Sequence, residues 1–156
     1  MYRKVDDFIK DWNVSSAGTM KVIESLKDEK LDQAIVEGHN TLGWLSWHLV
    51  GAMGAYGHLV GFSLPAPGQH DAAPKTVAEL KAAYEKCAAG VAEQATKLTD
   101  ADLEKVVDGF VGPEAIGSIL RNMIDHQTHH RGQMTVLIRQ AALPVPPVMG
   151  PTKEMS

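Results

Sequence analysis

Two histidines, His126 and His130, sit four residues apart in the stretch Asp125-His126-Gln127-Thr128-His129-His130-Arg131-Gly132-Gln133. On a helix that spacing separates side chains by about 40° and about 6 Å of rise, so both imidazoles can reach one ion. Two-histidine metal sites on helices exploit this geometry. The apolar steps around the pair run Ile116, Ile119, Met123, then Met134, Leu137 and Ala141, and His126 and His130 fill the gap between them. His129 is turned about 100° from His130 and falls off this stripe. Two polar rings in a core stripe need partners, because burying an unsatisfied polar group is costly. A shared metal ion satisfies both. Hydrogen bonding inside a packed core is the alternative, and spacing alone does not separate the two.

Two ligands are too few for a firm divalent site, so a third is expected from another segment. His48 lies in Thr41-Leu42-Gly43-Trp44-Leu45-Ser46-Trp47-His48-Leu49. It follows Leu45 by three and precedes Ala52 by four, which places it at the border of that segment's inner face. His58 falls roughly 80° round from His48 and is the lesser candidate. His39 precedes the segment, and His70 lies in a proline-rich loop. Three neutral imidazoles leave at least one coordination position open, which is the pattern of catalytic zinc sites and not of closed structural ones.

No general acid or base stands out nearby. Asp125 points about 100° away from His126 and reads as a solvent-facing partner of Arg121. Gln133 and Arg131 are candidates to support the ligand rings, although Arg131 reads first as a solvated or dimer-contact side chain. Gly132 reads as a point of close helix approach. Trp44, Trp47, Tyr56 and Tyr84 read as core packing that can also line a pocket. Cys87 reads as a small buried hydrophobe.

Four helices must position these residues. The first is expected from Tyr2 to Lys30, with Val5, Phe8, Ile9, Trp12, Ser16, Thr19, Val22, Ile23 and Leu26 on its inner face and Gly18 weakening or bending its middle. The second starts at Asn40 or Thr41, either of which can cap it, and runs to Gly61. Residues 63–76 hold Pro65, Pro67, Gly68 and Pro74 and form a loop, a candidate lid or rim. Thr76-Val77-Ala78-Glu79 is a capping-box pattern that opens a third helix to about Lys97. Residues 98–113 connect, with a short helical turn over 100–104. The fourth helix spans Glu114 to Ala142, ended by an extended tail with Pro144, Pro146, Pro147 and Pro151. No strand is expected.

The chain has 156 residues, 44% hydrophobic and 22% charged, which suits one domain over residues 1–156 with a proline-rich tail at 143–156. Aromatic residues reach only 6%, which favours close helix packing over a sheet. The net charge of −4 and the lack of a basic block argue against nucleic acid as a partner. A single cysteine excludes an internal disulfide, and Met1 to Asp7 lead into no signal-peptide pattern, so a cytoplasmic location is expected. The nearly uncharged stretch 40–69 is long enough to span a membrane, but its Gly, His and Ser content reads as a buried helix.

The order His-x-x-His-His-Arg-Gly-Gln over residues 126–133 resembles the last helix of the DinB-like superfamily. Asn40-Thr41-Leu42-Gly43-Trp44-Leu45-Ser46-Trp47-His48 resembles its second helix, and Leu143-Pro144-Val145-Pro146-Pro147-Val148-Met149-Gly150-Pro151 its ending. The resemblance runs over nearly the whole chain. It implies an all-α four-helix bundle. It also implies one divalent ion, zinc or nickel, held by one histidine of the second helix and a His-x-x-x-His pair of the fourth. Carried over, those positions are His48, His126 and His130. The resemblance further implies a homodimer and, by analogy with some relatives, a transferase or isomerase that uses a low-molecular-weight thiol such as mycothiol, bacillithiol or glutathione. A hydrolase acting on a small-molecule substrate is the other enzymatic reading, and a non-catalytic metal- or ligand-binding protein is the alternative to both.

Overall fold

The computed structural model describes residues 1–68 and 71–156. Val5, Phe8, Trp12, Ser15, Thr19 and Val22 recur every three or four residues and are buried, so Val5–Glu24 forms a helix, α1, with one face in the core. The polar residue at the centre of that face is Ser15, where the spacing pointed to Ser16. Gly18 does not break the helix. A Cβ there would meet Val148 Cγ1 at 2.5 Å, so the glycine makes room for the C-terminal tail. Helix α1 ends at Glu24, short of the expected Lys30. Ser25 Oγ donates to the Val22 carbonyl at 2.7 Å and competes with continuation of the helix. Lys27 is extended, and Asp28–Lys30 forms a separate 3-10 turn.

Helix α2 covers Leu42–Leu59, capped by Thr41, whose hydroxyl accepts from the Trp44 N–H at 3.1 Å. Helix α3 covers Val77–Ala95. Thr76 Oγ1 accepts from the Glu79 N–H at 3.2 Å and donates to the Glu79 carboxylate at 2.7 Å. The remaining orphan donor of Val77 is met by Asp28, whose carboxylate accepts at 2.7 Å. In the same way Asp100 accepts from the Val5 N–H at 2.9 Å and caps α1, where Lys4 supplies no cap bond. Helix α4 covers Ile116–Gln140.

Helix α1 packs on α3 and α4, and α2 packs on α3 and α4, which makes a four-helix bundle with α1 and α2 on one diagonal. Among the described residues no helix is long and apolar enough to cross a membrane. The connection before α4 contains the expected helical turn at Asp100–Glu104. It also contains a hairpin, where no strand was expected. Strands β1 (Val106–Gly109) and β2 (Gly112–Ala115) pair antiparallel, with Val106 opposite Ala115 and Gly109 opposite Gly112. Gly112 sits at φ +131, which a residue with a Cβ rarely adopts. Four-residue strands are too short to show a period of two, which is why the segment reads as a loop. The C-terminal tail folds back on the bundle: Val145 is buried, and Arg139 holds Glu154 through two hydrogen bonds at 2.9 and 3.3 Å.

The core is not wholly apolar. Gln127 is fully buried on α4 and contacts every other helix. Its amide oxygen accepts from Thr19 Oγ1 of α1 at 3.3 Å and from the Tyr84 hydroxyl of α3 at 2.9 Å. Its amide nitrogen donates to the Leu49 carbonyl of α2 at 3.2 Å. One turn on, Arg131 is 5% exposed, not solvated as the sequence suggested. Its guanidinium donates to the Ser15 carbonyl at 2.9 Å, to Thr19 Oγ1 at 3.2 Å and to Thr128 Oγ1 at 3.4 Å. Gly132 is not the close-approach point that the sequence suggested. A Cβ at this position would project into open space, so no helix meets α4 there.

Tyr84→Phe removes one donor and leaves Gln127 with its other partners, so a loss of about 1 kcal/mol is expected. Gln127→Leu removes all three bonds and strands the buried Tyr84 hydroxyl, while Thr19 keeps the Ser15 carbonyl and Arg131, and it is expected to cost more, about 2–3 kcal/mol. Urea midpoints at unchanged slope read both values. Equal stabilities for the two variants would contradict a central role for the amide.

Candidate metal centre

Because α2 and α4 pack directly on each other, His48 faces His126 and His130 across their interface. Nε2 of His126 lies 3.3 Å from Nε2 of His48 and 3.2 Å from Nε2 of His130. The three ligand atoms all fall within 4.8 Å of one another. A tetrahedral ion bound at about 2.0–2.1 Å from each nitrogen holds its ligands about 3.3 Å apart. Two of the three separations, those from His126, therefore match the edge of a coordination tetrahedron.

The tautomers point the same way. Gln133 Oε1 lies 2.7 Å from His130 Nδ1 and can only accept, so Nδ1 carries the proton and Nε2 presents a lone pair to the cluster. His126 Nε2 can then donate to His130 or present a lone pair beside His48, but it cannot do both. His126 Nδ1 has no hydrogen-bond partner among the described residues although it is buried. Leaving a buried polar atom unpaired costs about 1–3 kcal/mol. An ion bound through Nε2 leaves that Nδ1 as it is; what one cation satisfies is the three facing Nε2 atoms, which hydrogen bonding cannot all satisfy at once.

Electrostatics keeps those lone pairs available. Burial, then the neighbouring His130, His48 and His129 rings, pushes the pKa of His126 down to about 4. Burial and His130 lower that of His48. Burial also lowers that of His130, partly offset by the hydrogen bond to Gln133. Neutral imidazoles are the form that ligates metals.

Aromatic rings surround the cluster. Trp44, one turn before His48, stacks on its ring with centroids 4.7 Å apart and planes 10° apart. Tyr56 meets His126 edge-on at 5.6 Å, and Phe110 at the hairpin tip meets Tyr56 edge-on at 5.1 Å. Beside His48 a cavity of about 700 Å³ opens between α2 and residues 67–68 and 71–73. Its walls include Trp44, Trp47 and Phe110.

The structure thus brings together the three histidines that the sequence singled out. His129 is exposed and outside the cluster, though its ring packs 4.8 Å from that of His130. His58 is exposed and not in the cluster, and His70 lies outside the described residues. Gln133 supports His130 as expected, and Asp125 pairs with Arg121 at 2.8 Å. Cys87 is fully buried, and burial pushes its thiol pKa up to about 11, so it stays protonated and inert. From sequence, Trp44 and Trp47 read first as packing. Both line the cavity, and the Trp44–His48 spacing of four was the available signal. Phe110 was missed along with its hairpin.

A family model described as the DinB family matches residues 1–156. The chain is 38% identical over 156 residues to the uncharacterized protein YrdA of Bacillus subtilis (strain 168), covering 99% of this chain and 93% of that protein. It superposes on the crystal structure of a DinB-like protein from Bacillus cereus ATCC 10987 with a TM-score of 0.90 and 36% identity, covering 95% of this chain and 99% of that one. A DinB-like protein of Bacillus subtilis, YjoA, shares the fold at a TM-score of 0.72 and 15% identity, over 93% of this chain and 99% of that one.

The low pKa of His126 has a consequence for the metal-free protein. Above about pH 6.5 the ring is neutral in both folded and unfolded chains. As pH falls from there towards about 4, the unfolded chain takes the proton first, so the fold loses stability across that window. Imidazole NMR of chelator-treated protein should show His126 titrating near 4, with the urea midpoint falling over the same range. A His126 ring that titrates at the ordinary value would contradict the burial argument.

Proposed function

The chain belongs to the DinB family, and from that premise we propose that His48, His126 and His130 hold one divalent ion, zinc or nickel, that does chemistry on a small molecule. The observation that carries this reading is the convergence of three imidazoles, with the two Nε2 separations from His126 at tetrahedral-edge spacing and Gln133 orienting His130. Three protein ligands leave coordination positions open, as in catalytic sites. When bound, such an ion lowers the pKa of a water or thiol that joins it and so provides a nucleophile near neutral pH.

The chain's own groups supply positioning and exclusion of water. Trp44 covers one face of His48, Tyr56 backs His126, and Gln133 fixes the tautomer of His130. In the transferase reading the sulfur of a low-molecular-weight thiol forms a new S–C bond with an electrophilic carbon. The leaving group departs with the electron pair of the broken bond, and the thiol proton goes to solvent. In the hydrolase reading water takes the place of the thiol. One observation favours a non-catalytic binding protein instead: no carboxylate joins the three histidines among the described residues, so no protein base is built into the cluster.

Elemental mass spectrometry of protein purified without a histidine tag should find about one metal per chain. His48→Ala, His126→Ala and His130→Ala should each lose it, and His129→Ala should keep it. No metal after incubation with zinc or nickel would overturn the reading. Gln133→Leu should weaken metal affinity about 10- to 100-fold, the range expected when a partner of a ligand histidine is removed. Competition with a chromogenic chelator measures this. Thiol consumption by the metal-loaded protein with alkylating electrophiles then separates the catalytic reading from the binding one.

A further inference from the structure

The cavity beside His48 has a chemistry of its own. Its volume of about 700 Å³ lies within the range of small-molecule sites, about 300–1,000 Å³. It exists because α2 turns small residues towards the following segment: a Cβ at Gly54 would collide with Ala66, and one at Gly57 would meet Leu64 Cδ1 at 2.6 Å. The chain therefore lies close along α2 at these points, then stands away from it around Gly51.

Three aromatic side chains face the space. Trp44 spends one face on His48 and remains 42% exposed. Trp47 is pinned by its indole N–H, which donates to the Asp71 carbonyl at 3.0 Å. Phe110 enters from the hairpin tip, itself 60% exposed. Rings held at several walls favour a flat guest that can stack or meet them edge-on.

The charges in the wall select further. Asp71 lines the cavity and, among the described residues, no lysine or arginine does. Its carboxylate accepts from the Gly68 N–H at 2.7 Å and makes no ion pair among the described residues. In the metal-free protein an anionic guest would sit against this carboxylate with no lysine or arginine of the described residues to offset it, which is an unfavourable like-charge contact.

We propose that this cavity binds a flat aromatic molecule that carries no negative charge, with one end against His48. That the end meets a metal ion rests on the metal-site reading above, whereas occupancy of the cavity does not. The ligand class follows from the wall, and His48 joins the two sites.

Phenylnaphthylamine and its sulfonated counterpart, anilinonaphthalene sulfonate, share one aromatic body and differ in a single negative charge. The neutral probe should show saturable energy transfer from tryptophan, and in chelator-treated protein, where no ion at the histidines offsets the charge, the sulfonate should bind about ten-fold more weakly or worse. Gly51→Leu tests the place. A Cβ at Gly51 meets only Pro67 Cγ at 3.8 Å, an ordinary contact, so the helix accepts the change while the rest of the side chain fills the cavity. That variant should lose the neutral probe and keep its helicity and metal content. Ala55→Leu, on the same wall, stands in if Gly51→Leu misfolds. Asp71→Asn should narrow the gap between the probes. Absence of saturable binding, equal binding of the two probes to chelator-treated protein, or unchanged binding in the filled variants would overturn the proposal. Probe binding in a protein that takes no metal would sink the metal reading alone, and metal without probe binding would sink this one alone.

Discussion

The rotation of α4 about its own axis is set by the amide of Gln127, and the histidine cluster depends on that rotation. The amide is bonded to Thr19, Leu49 and Tyr84 on three different helices. Arg131, one turn later, adds its bonds to Ser15 and Thr19 of α1. With residues 127 and 131 turned inward, the residues one position earlier, His126 and His130, are displaced by about 100°. That displacement carries them to the border facing α2, where His48 waits. A slip of α4 by one residue would bury the imidazoles and expose the amide. Polar groups in a core cost more than apolar ones when mispaired, so this set penalises alternative packings more sharply than a leucine seam would.

The neighbouring cavity follows from a different property of α2. Its inner face carries Leu42, Leu45, Leu49, Val50 and Met53, while glycines at 51, 54 and 57 line the side where the chain returns. The hairpin β1–β2 adds Phe110 to the wall, its ring edge-on to Tyr56. Metal ligands and cavity walls thus share a helix: Trp44, Trp47 and His48 lie within two turns of α2, and a change in one is felt by both.

Much of this was legible in the sequence because it rests on local spacing. The three-to-four periodicity marks the helices, and the four-residue interval of His126 and His130 marks a shared face. The resemblance to the DinB family pointed to the same three ligands. What escaped was non-local. His126 and His130 fill a gap in the apolar stripe, yet the deepest positions belong to Gln127 and Arg131, two residue types that composition places outside. Their burial is intelligible only with Ser15, Thr19 and Tyr84 in place. Past the early end of α1, Asp28 is engaged with α3, 49 residues away, and the hairpin consists of strands too short to announce themselves.

Two of the four helices begin with a turn completed by a carboxylate from far along the chain. Asp100 serves Val5, 95 residues away, and Asp28 serves Val77, 49 residues away. An isolated α1 or α3 lacks that acceptor: α1 is then left without a side-chain cap, and α3 keeps only the local bond from Glu79 to Thr76. Secondary structure and assembly are therefore coupled at these two helix ends: the bonds from Val5 and Val77 form only when distant segments meet. Helix content should then vanish together with tertiary packing in one cooperative transition, without a populated state of preformed helices awaiting collapse.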